Sequence, residues 1–182
     1  MNASHPGFRA LPTAGERLVA ALYDLAARDD RAALAALRSS LQDLARAHLA
    51  YPLVLRHLPR DVGRDYEDAC LLVAGLFGIH PTPIAGAPLG VALRTMASRA
   101  SGAGLERRCE ALLQCAPRDL RAHLRPLVRL ARSLAVPLDY LRLLEDVRHW
   151  GHPAGWVQRR LAGELWAGGA PSTTDDAQES CP

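Results

Sequence analysis

The stretch Arg118–Arg132, RDLRAHLRPLVRLAR, sets five arginines at spacings of three, four, four and three: Arg118, Arg121, Arg125, Arg129 and Arg132. That is the period of one helix face. At about 100° per residue the five fall within an arc of about 80°, while Leu120, Leu124, Leu127, Ala131 and Leu134 centre on nearly the opposite side. The pattern predicts an amphipathic helix with its leucines in a core and its guanidinium groups outside. Pro126 lies within it, cannot donate to the carbonyl of Ala122 and crowds that turn. A kink there would bend the stripe and keep it continuous. A full break, with a new helix starting at Pro126, would put its two halves on different axes.

The same helical reading extends outward along the chain. Downstream, Asp139 caps a helix over YLRLLEDVRHW that Gly151 terminates, and Pro153 or Ala154 opens a last helix through Val157, Leu161 and Leu165 to Trp166. Upstream, LERRCEALLQC and LGVALRTMASRAS read as helices separated by SGAG. GIHPTPIAGAP, residues 78–88, is the clearest internal loop, because its prolines and glycines forbid a regular element. Before it, RDYEDACLLVAGLFGIH is a strongly apolar helix central to the core, and AYPLVLRHLPRDVG is a broken segment. Thr13 and Glu16 form a capping box for a first helix through Leu18, Leu22 and Leu25, ending near Arg28. Asp30 caps a second containing Leu34, Leu37, Leu41 and Leu44. No segment shows a period of two. The predicted fold is all-α, a bundle of roughly seven to nine helices in two halves sharing a core. Residues 13–166 form a single helical domain with lobes at about 13–80 and 88–166, between an unstructured N-terminus (1–12) and a disordered acidic tail (167–182).

Composition narrows the function classes. Nearly half of the 182 residues are apolar, with 49% hydrophobic, so a sizeable core is available. No apolar run has the length of a membrane span, and the N-terminal MNASHPGFRALPTAGER lacks the apolar centre of a secretory signal. The expected location is the cytoplasm, with no membrane partner. The cysteines Cys70, Cys109 and Cys115 lie in or after helical patterns and Cys181 in a polar tail, so no disulfides are expected. All 22 basic residues are arginine, and the formal net charge is +3. The charge is uneven. Residues 1–89 carry nine arginines and nine acids, residues 90–160 thirteen arginines and six acids, and residues 161–182 four acids and no base. A basic middle-to-late segment suits a polyanion, and arginine's planar fork suits phosphate.

A charged helix face is most often a solvated surface, but such faces usually mix signs. This one has only Asp119 among its arginines, and Arg94, Arg99, Arg107, Arg108, Arg159 and Arg160 lie in the same half. One turn per arginine, roughly 5–6 Å, is comparable to the spacing of phosphates along a single strand. Catalytic signatures are missing. Cys109, Cys115 and His123 match no zinc spacing, and HWGH (His149 to His152) straddles a helix end. AGAPLG lacks the setting and lysine of a phosphate loop, and no nucleophile elbow, paired-carboxylate or Cys–His arrangement stands out. No enzyme activity, metal, cofactor or small-molecule substrate is expected. Glu145 and Asp146 are expected to pair with Arg142 or Arg148, and Trp150, Trp156 and Trp166 to be core.

From about Leu89 to Trp166 the chain resembles the CasB family, the small subunit of type I-E CRISPR surveillance complexes (Cascade). LGVALRTM resembles the family's Leu/Val-Gly stretch before a Leu-Ala-rich helix with arginine. LERRCEALL is similar to its Glu-x-Arg-Phe-x-x-Leu-Leu, and DLRAHLRPLVRLARS to its Leu-Arg-x-x-Val-x-Leu helix. VPLDYLRLLEDVRHW resembles its Asp-aromatic-x-x-Leu-x-x-Asp-Leu-x-x-Trp signature, and VQRRLAGELW its closing Gln-x-x-Trp-Ala-Arg-x-Phe/Tyr. Weaker likeness reaches AALAALRSSL, YPLVLRHL and CLLVAGLFGIH. Cys109 stands where the family has Phe, and Leu161 and Gly163 where it has Trp and Arg. The resemblance implies a non-catalytic, all-helical subunit, two copies of which lie side by side along the belly of the complex. There they contact other subunits, guide RNA, target DNA and the displaced single strand, stabilising the R-loop. Arg38, Arg108, Arg125 and Arg160 match basic positions of the family pattern. Arg107, Arg121, Arg129, Arg132 and Arg159 join them as nucleic-acid-binding candidates from helical arithmetic alone. Two alternatives stand beside this reading. One is a free-standing helical DNA-binding regulator, against which the lack of Asn and Gln in the arginine segment counts. The other is a protein–protein adaptor with a basic docking face.

Overall fold

The computed structural model describes residues 12–99 and 103–166. Among them are nine α-helices and no strand: α1 (Ala14–Ala27), α2 (Arg31–Ser40), α3 (Tyr51–Val54), α4 (Arg64–Ile79), α5 (Leu89–Arg99), α6 (Ala103–Gln114), α7 (Leu120–Ser133), α8 (Tyr140–Arg148) and α9 (Trp156–Trp166). Short 3-10 turns at Leu44–Leu49, Leu55–His57 and Pro117–Asp119 join them. No described helix is long and apolar enough to cross a membrane. The tails of the chain, Cys181, and Ser101 and Gly102 of SGAG lie outside the described residues, while Ala103 and Gly104, expected in the break, open α6.

Start signals act as their chemistry dictates. The Thr13 hydroxyl accepts from the Glu16 amide while the Glu16 carboxylate accepts from the Thr13 amide, closing the capping box on α1. Asp30 and Asp139 cap α2 and α8 with the side chain alone, accepting from the Ala33 and Arg142 amides. Stops depart from expectation. The second helix ends at Ser40, so Leu44 falls in a 3-10 turn that Asp43 caps instead. α8 ends at Arg148 rather than at Gly151, and α9 begins at Trp156, after Gly155 turns the chain at φ +57°. α1 and α7 end in left-handed residues that are not glycine, Asp29 at φ 49° and Ala135 at φ 51°. In each, the two following amides fold back onto the last turn, Asp30 onto the Leu25 carbonyl and Val136 onto that of Ala131.

α4 is the axis of the bundle, packed by α1, α2, α3, α7 and α8. One contiguous core runs through both halves of the chain, and α8, from the second half, packs on α1 and α4. At its centre Tyr140 is fully buried, edge-on to Phe77 at 4.9 Å, and donates to the His80 carbonyl at 2.8 Å. Buried His80 meets the Val136 carbonyl at 2.9 Å, and its burial, aided by nearby Arg132, holds its pKa below the ordinary imidazole value. α2 crosses α4 at Gly78, where a Cβ would stand 2.6 Å from the Arg38 amide nitrogen, so only a glycine fits unshifted. Burial pushes the thiols of Cys70 and Cys109 up to about 12 and about 11, which leaves them as unreactive core residues.

The loop expected at 78–88 starts only at His80, because Gly78 and Ile79 complete α4, and it is anchored rather than free. Gly86 and Ala87 donate to the carbonyls of Leu138 and Pro137, and Asp139 returns a bond to Ala87, a two-residue parallel bridge. A Cβ on Gly86 would lie 2.2 Å from the Pro137 carbonyl carbon.

Candidate nucleic-acid interface

α7 is continuous through Pro126, so the arginine segment forms one face on one axis. Its buried residues are Leu120, Leu124, Leu127, Val128 and Ala131. Val128, left out of the expected apolar face, widens the buried arc toward Arg121 and Arg132. Both side chains turn inward accordingly. Arg121 Nη2 donates to the Ser40 carbonyl at 3.0 Å, and Arg132 Nη1 to the Ile79 carbonyl at 3.1 Å. These are the last residues of α2 and α4, whose terminal carbonyls lack helical donors and carry the negative end of the helix dipole. Arg94 and Arg99 do the same for the Glu164 and Leu134 carbonyls at the ends of α9 and α7.

Arg125 and Arg129 lie on the outer side of the stripe, half-buried and exposed respectively, with no hydrogen bond or ion pair to any described residue. Arg118 precedes the helix, its side chain 87% exposed, with Asp119 at 3.8 Å. Arg38, half-buried in the last turn of α2, lies two residues before the Ser40 carbonyl that takes Arg121. Exposed Arg107 and Arg108 lie on α6, which packs against both α7 and α9, and exposed Arg159 lies on α9. Among the described residues none of Arg38, Arg107, Arg108, Arg121, Arg125, Arg129, Arg132 and Arg159 pairs with a carboxylate.

Arg160 differs. Its guanidinium spans Asp146 of α8 and Glu164 of α9, and Asp146 is 1% exposed. Burial pushes the Asp146 carboxyl up from its ordinary range, and the Arg160 guanidinium pulls against that. Arg142 adds a longer contact to Asp146 at 3.9 Å, and Arg148 reaches Glu145 at 3.9 Å, as the helix spacing predicts. Sequence reasoning missed the burial of Asp146. Its place between Leu143, Leu144 and Trp150, all buried, was the available signal. Among the tryptophans Trp150 is core and donates to the Cys115 carbonyl at 3.0 Å. Trp166, expected in the core, is 45% exposed at the end of α9.

A groove of about 950 Å³ opens at the N-terminal end of the stripe, where Arg118 and Arg121 form part of its wall. No described group of His, Cys, Asp or Glu is arranged to hold a metal ion.

A model of the family "CRISPR-associated protein Cse2" matches residues 33–166. The chain belongs to the Cse2 family. A Cse2-family CRISPR-associated protein from Thermus thermophilus has a solved structure that is 32% identical, covers 84% of this chain and 97% of its own, and superposes at TM-score 0.73. A CasB structure from the same species is 31% identical over the same shares at TM-score 0.72, which places the CasB likeness and the Cse2 match in one family. A chain of a CRISPR RNA-guided surveillance complex shares the fold at TM-score 0.69 and 23% identity, over 85% of this chain and 91% of its own. No curated protein sequence matches the chain. Of the three positions that depart from the expected family pattern, Leu161 and Cys109 are buried in the core, whereas a Cβ at Gly163 would meet nothing within 4 Å.

Proposed function

We propose that this Cse2 protein is the small, non-catalytic subunit of a type I-E CRISPR surveillance complex (Cascade), working in the cytoplasm beside other subunits and a second copy of itself. Its arginine face grips nucleic-acid backbone and so stabilises the guide RNA–target DNA R-loop and the displaced strand. The observation that carries this is the α7 face. Arg125 and Arg129 point outward without carboxylate partners, and Arg38, Arg118, Arg107 and Arg108 add charge on neighbouring elements. In such effectors base pairing reads sequence and protein holds backbone, and the exchange of DNA duplex for RNA–DNA hybrid is nearly balanced, so a few phosphate contacts tip it. Arg121 and Arg132 serve the same face while bracing α7 on α2 and α4. Arg160 supports it from inside, joining α9 to the buried Asp146 of α8.

The test is a protein with Arg125→Ala and Arg129→Ala. It should fold as before and bind single strands more weakly, with a salt slope flatter by about 0.7 per lost contact. Unchanged affinity with an unchanged slope would remove the stripe from nucleic-acid binding.

A further inference from the structure

The fold uses one acid of the last stretch of chain and leaves three. Of the four acids in residues 161–182, Glu164 lies on α9 and is paired with Arg160. Asp175, Asp176 and Glu179 fall in residues 167–182, which contain no base. On α7, Arg125 and Arg129 have no carboxylate partner among the described residues. One chain thus carries two complementary sets of charge that its described interior does not consume.

Connectivity brings the two sets within reach. Both α9 and α7 pack on α5. At helix-packing distances of about 8–10 Å, their axes are at most about 20 Å apart across it. Arg94 and Arg99 of α5 show which ends meet. Arg94 donates to the Glu164 carbonyl near the end of α9, and Arg99, the last residue of α5, donates to the Leu134 carbonyl just past the end of α7. Residues 167–175 span up to about 30 Å when extended. Acids that leave the end of α9 therefore reach the stripe first at its Arg132–Arg129 end. α6 also touches α9, but its Arg107 and Arg108 stand between Glu106 and Glu110, so its field is mixed. The acid of the α7 segment, Asp119, lies at the far end of the stripe beside Arg118.

We infer that the acidic segment 167–182 docks on the outer face of α7, with Asp175, Asp176 and Glu179 against Arg129 and Arg125, and competes with a nucleic-acid strand for the same guanidinium groups. This rests on the reading of α7 as a backbone-binding face. Tethering gives the segment an effective concentration on the order of millimolar at the stripe. Each exposed carboxylate–guanidinium pair is weak and screened by salt. The contact therefore yields to a polyanion that offers many phosphates at once and holds off one that offers few.

The experiment follows the contact and its effect on binding. Cys181 of full-chain protein carrying Cys115→Ser takes a thiol-reactive nitroxide label, since Cys70 and Cys109 are buried. The label should broaden the Nε–Hε resonances of Arg125 and Arg129, and Asp175→Asn/Asp176→Asn/Glu179→Gln should abolish the broadening. Without the label, the same triple variant should bind a mixed-sequence single-stranded DNA about three- to thirtyfold more tightly at low salt, the worth of two or three exposed pairs. Its salt slope should be steeper, because no ion pair is broken on binding, and the two affinities should converge at high salt. Resonances left sharp, or equal affinities, overturn the proposal; weaker strand binding by Arg125→Ala/Arg129→Ala then leaves the stripe reading standing. Broadening that persists when the label is on one population of chains and the isotope on another shows that the segment serves a second copy, and the within-chain contact falls. If the broadening is present and neither chain binds the DNA, the docking stands and the nucleic-acid reading of α7 falls.

Discussion

Arg125 on α7 and Arg160 on α9 look alike in sequence, each in a basic run and each at a basic position of the family pattern, yet they occupy opposite environments. Arg125 has no partner among the described residues, while Arg160 is held between Asp146 and Glu164 with its side chain 20% exposed. What differs is the element opposite. No described carboxylate meets the outer side of α7, whereas Arg160 on α9, a helix that packs chiefly on α5, reaches the buried carboxylate of Asp146 on α8. A formal charge is available to a partner only where the fold has not already spent it. Arg121 and Arg132 stand between these extremes, each placing one N–H on a helix-end carbonyl and keeping its charge uncancelled by any described carboxylate.

The largest effect that separates these groups should come from Arg160→Ala. It strands a carboxylate that is 1% exposed, and breaking such a pair costs about 3–5 kcal/mol. Thermal melting should show a large loss. Asp146 already has a raised carboxyl pKa, and without Arg160 it rises further. An acid with a raised folded pKa loses stability as pH increases through that value. The deficit of Arg160→Ala relative to the unaltered chain should therefore shrink as pH is lowered from neutrality toward the ordinary carboxyl value of 3.8. Asp146→Asn in the same background should recover part of it. A deficit that is small, or flat with pH, would dissolve the contrast with α7.

Intermediate effects belong to Arg121→Ala and Arg132→Ala. Each leaves a helix-end carbonyl without its charged donor, worth about 1–2 kcal/mol, and each also flattens the salt slope of single-strand binding. The lysine variants should recover less than full stability, since an ammonium presents no planar fork. Arg125→Ala and Arg129→Ala should have the smallest effect on stability, within about 0.5 kcal/mol, and act on binding alone. Stability losses there as large as at Arg132 would mean that the stripe is structural throughout.

Much of this fold was legible in the sequence because local chemistry set it. Thr13, Asp30 and Asp139 each supply a side-chain oxygen to an orphan amide, and a helix start needs no distant information. Helix ends were less legible. Ala135 and Asp29 take left-handed conformations that a reader looks for at glycine, and Gly151, which looks like a terminator, is not one. The stripe was legible as a periodicity. Its division was not, because that depends on Ser40 and Ile79, 81 and 53 residues from their arginines. The same holds for Asp146, whose polarity suggests surface until α9 is known to lie across from it, and for Trp166, whose exposure depends on where the bundle ends.

The parallel bridge between Ala87 and Leu138 closes α5, α6 and α7 into a ring of chain fastened at its base. Three amides form the fastening, those of Gly86, Ala87 and Asp139, and the Gly86 position tolerates no side chain. Hydrogen exchange at these three sites should run in step, slow while the clasp is shut and released together when it opens. The clasp thus ties the stretch from α5 to α7 back to the chain just before α8, and Arg121 and Arg132 tie its last helix to α2 and α4 as well.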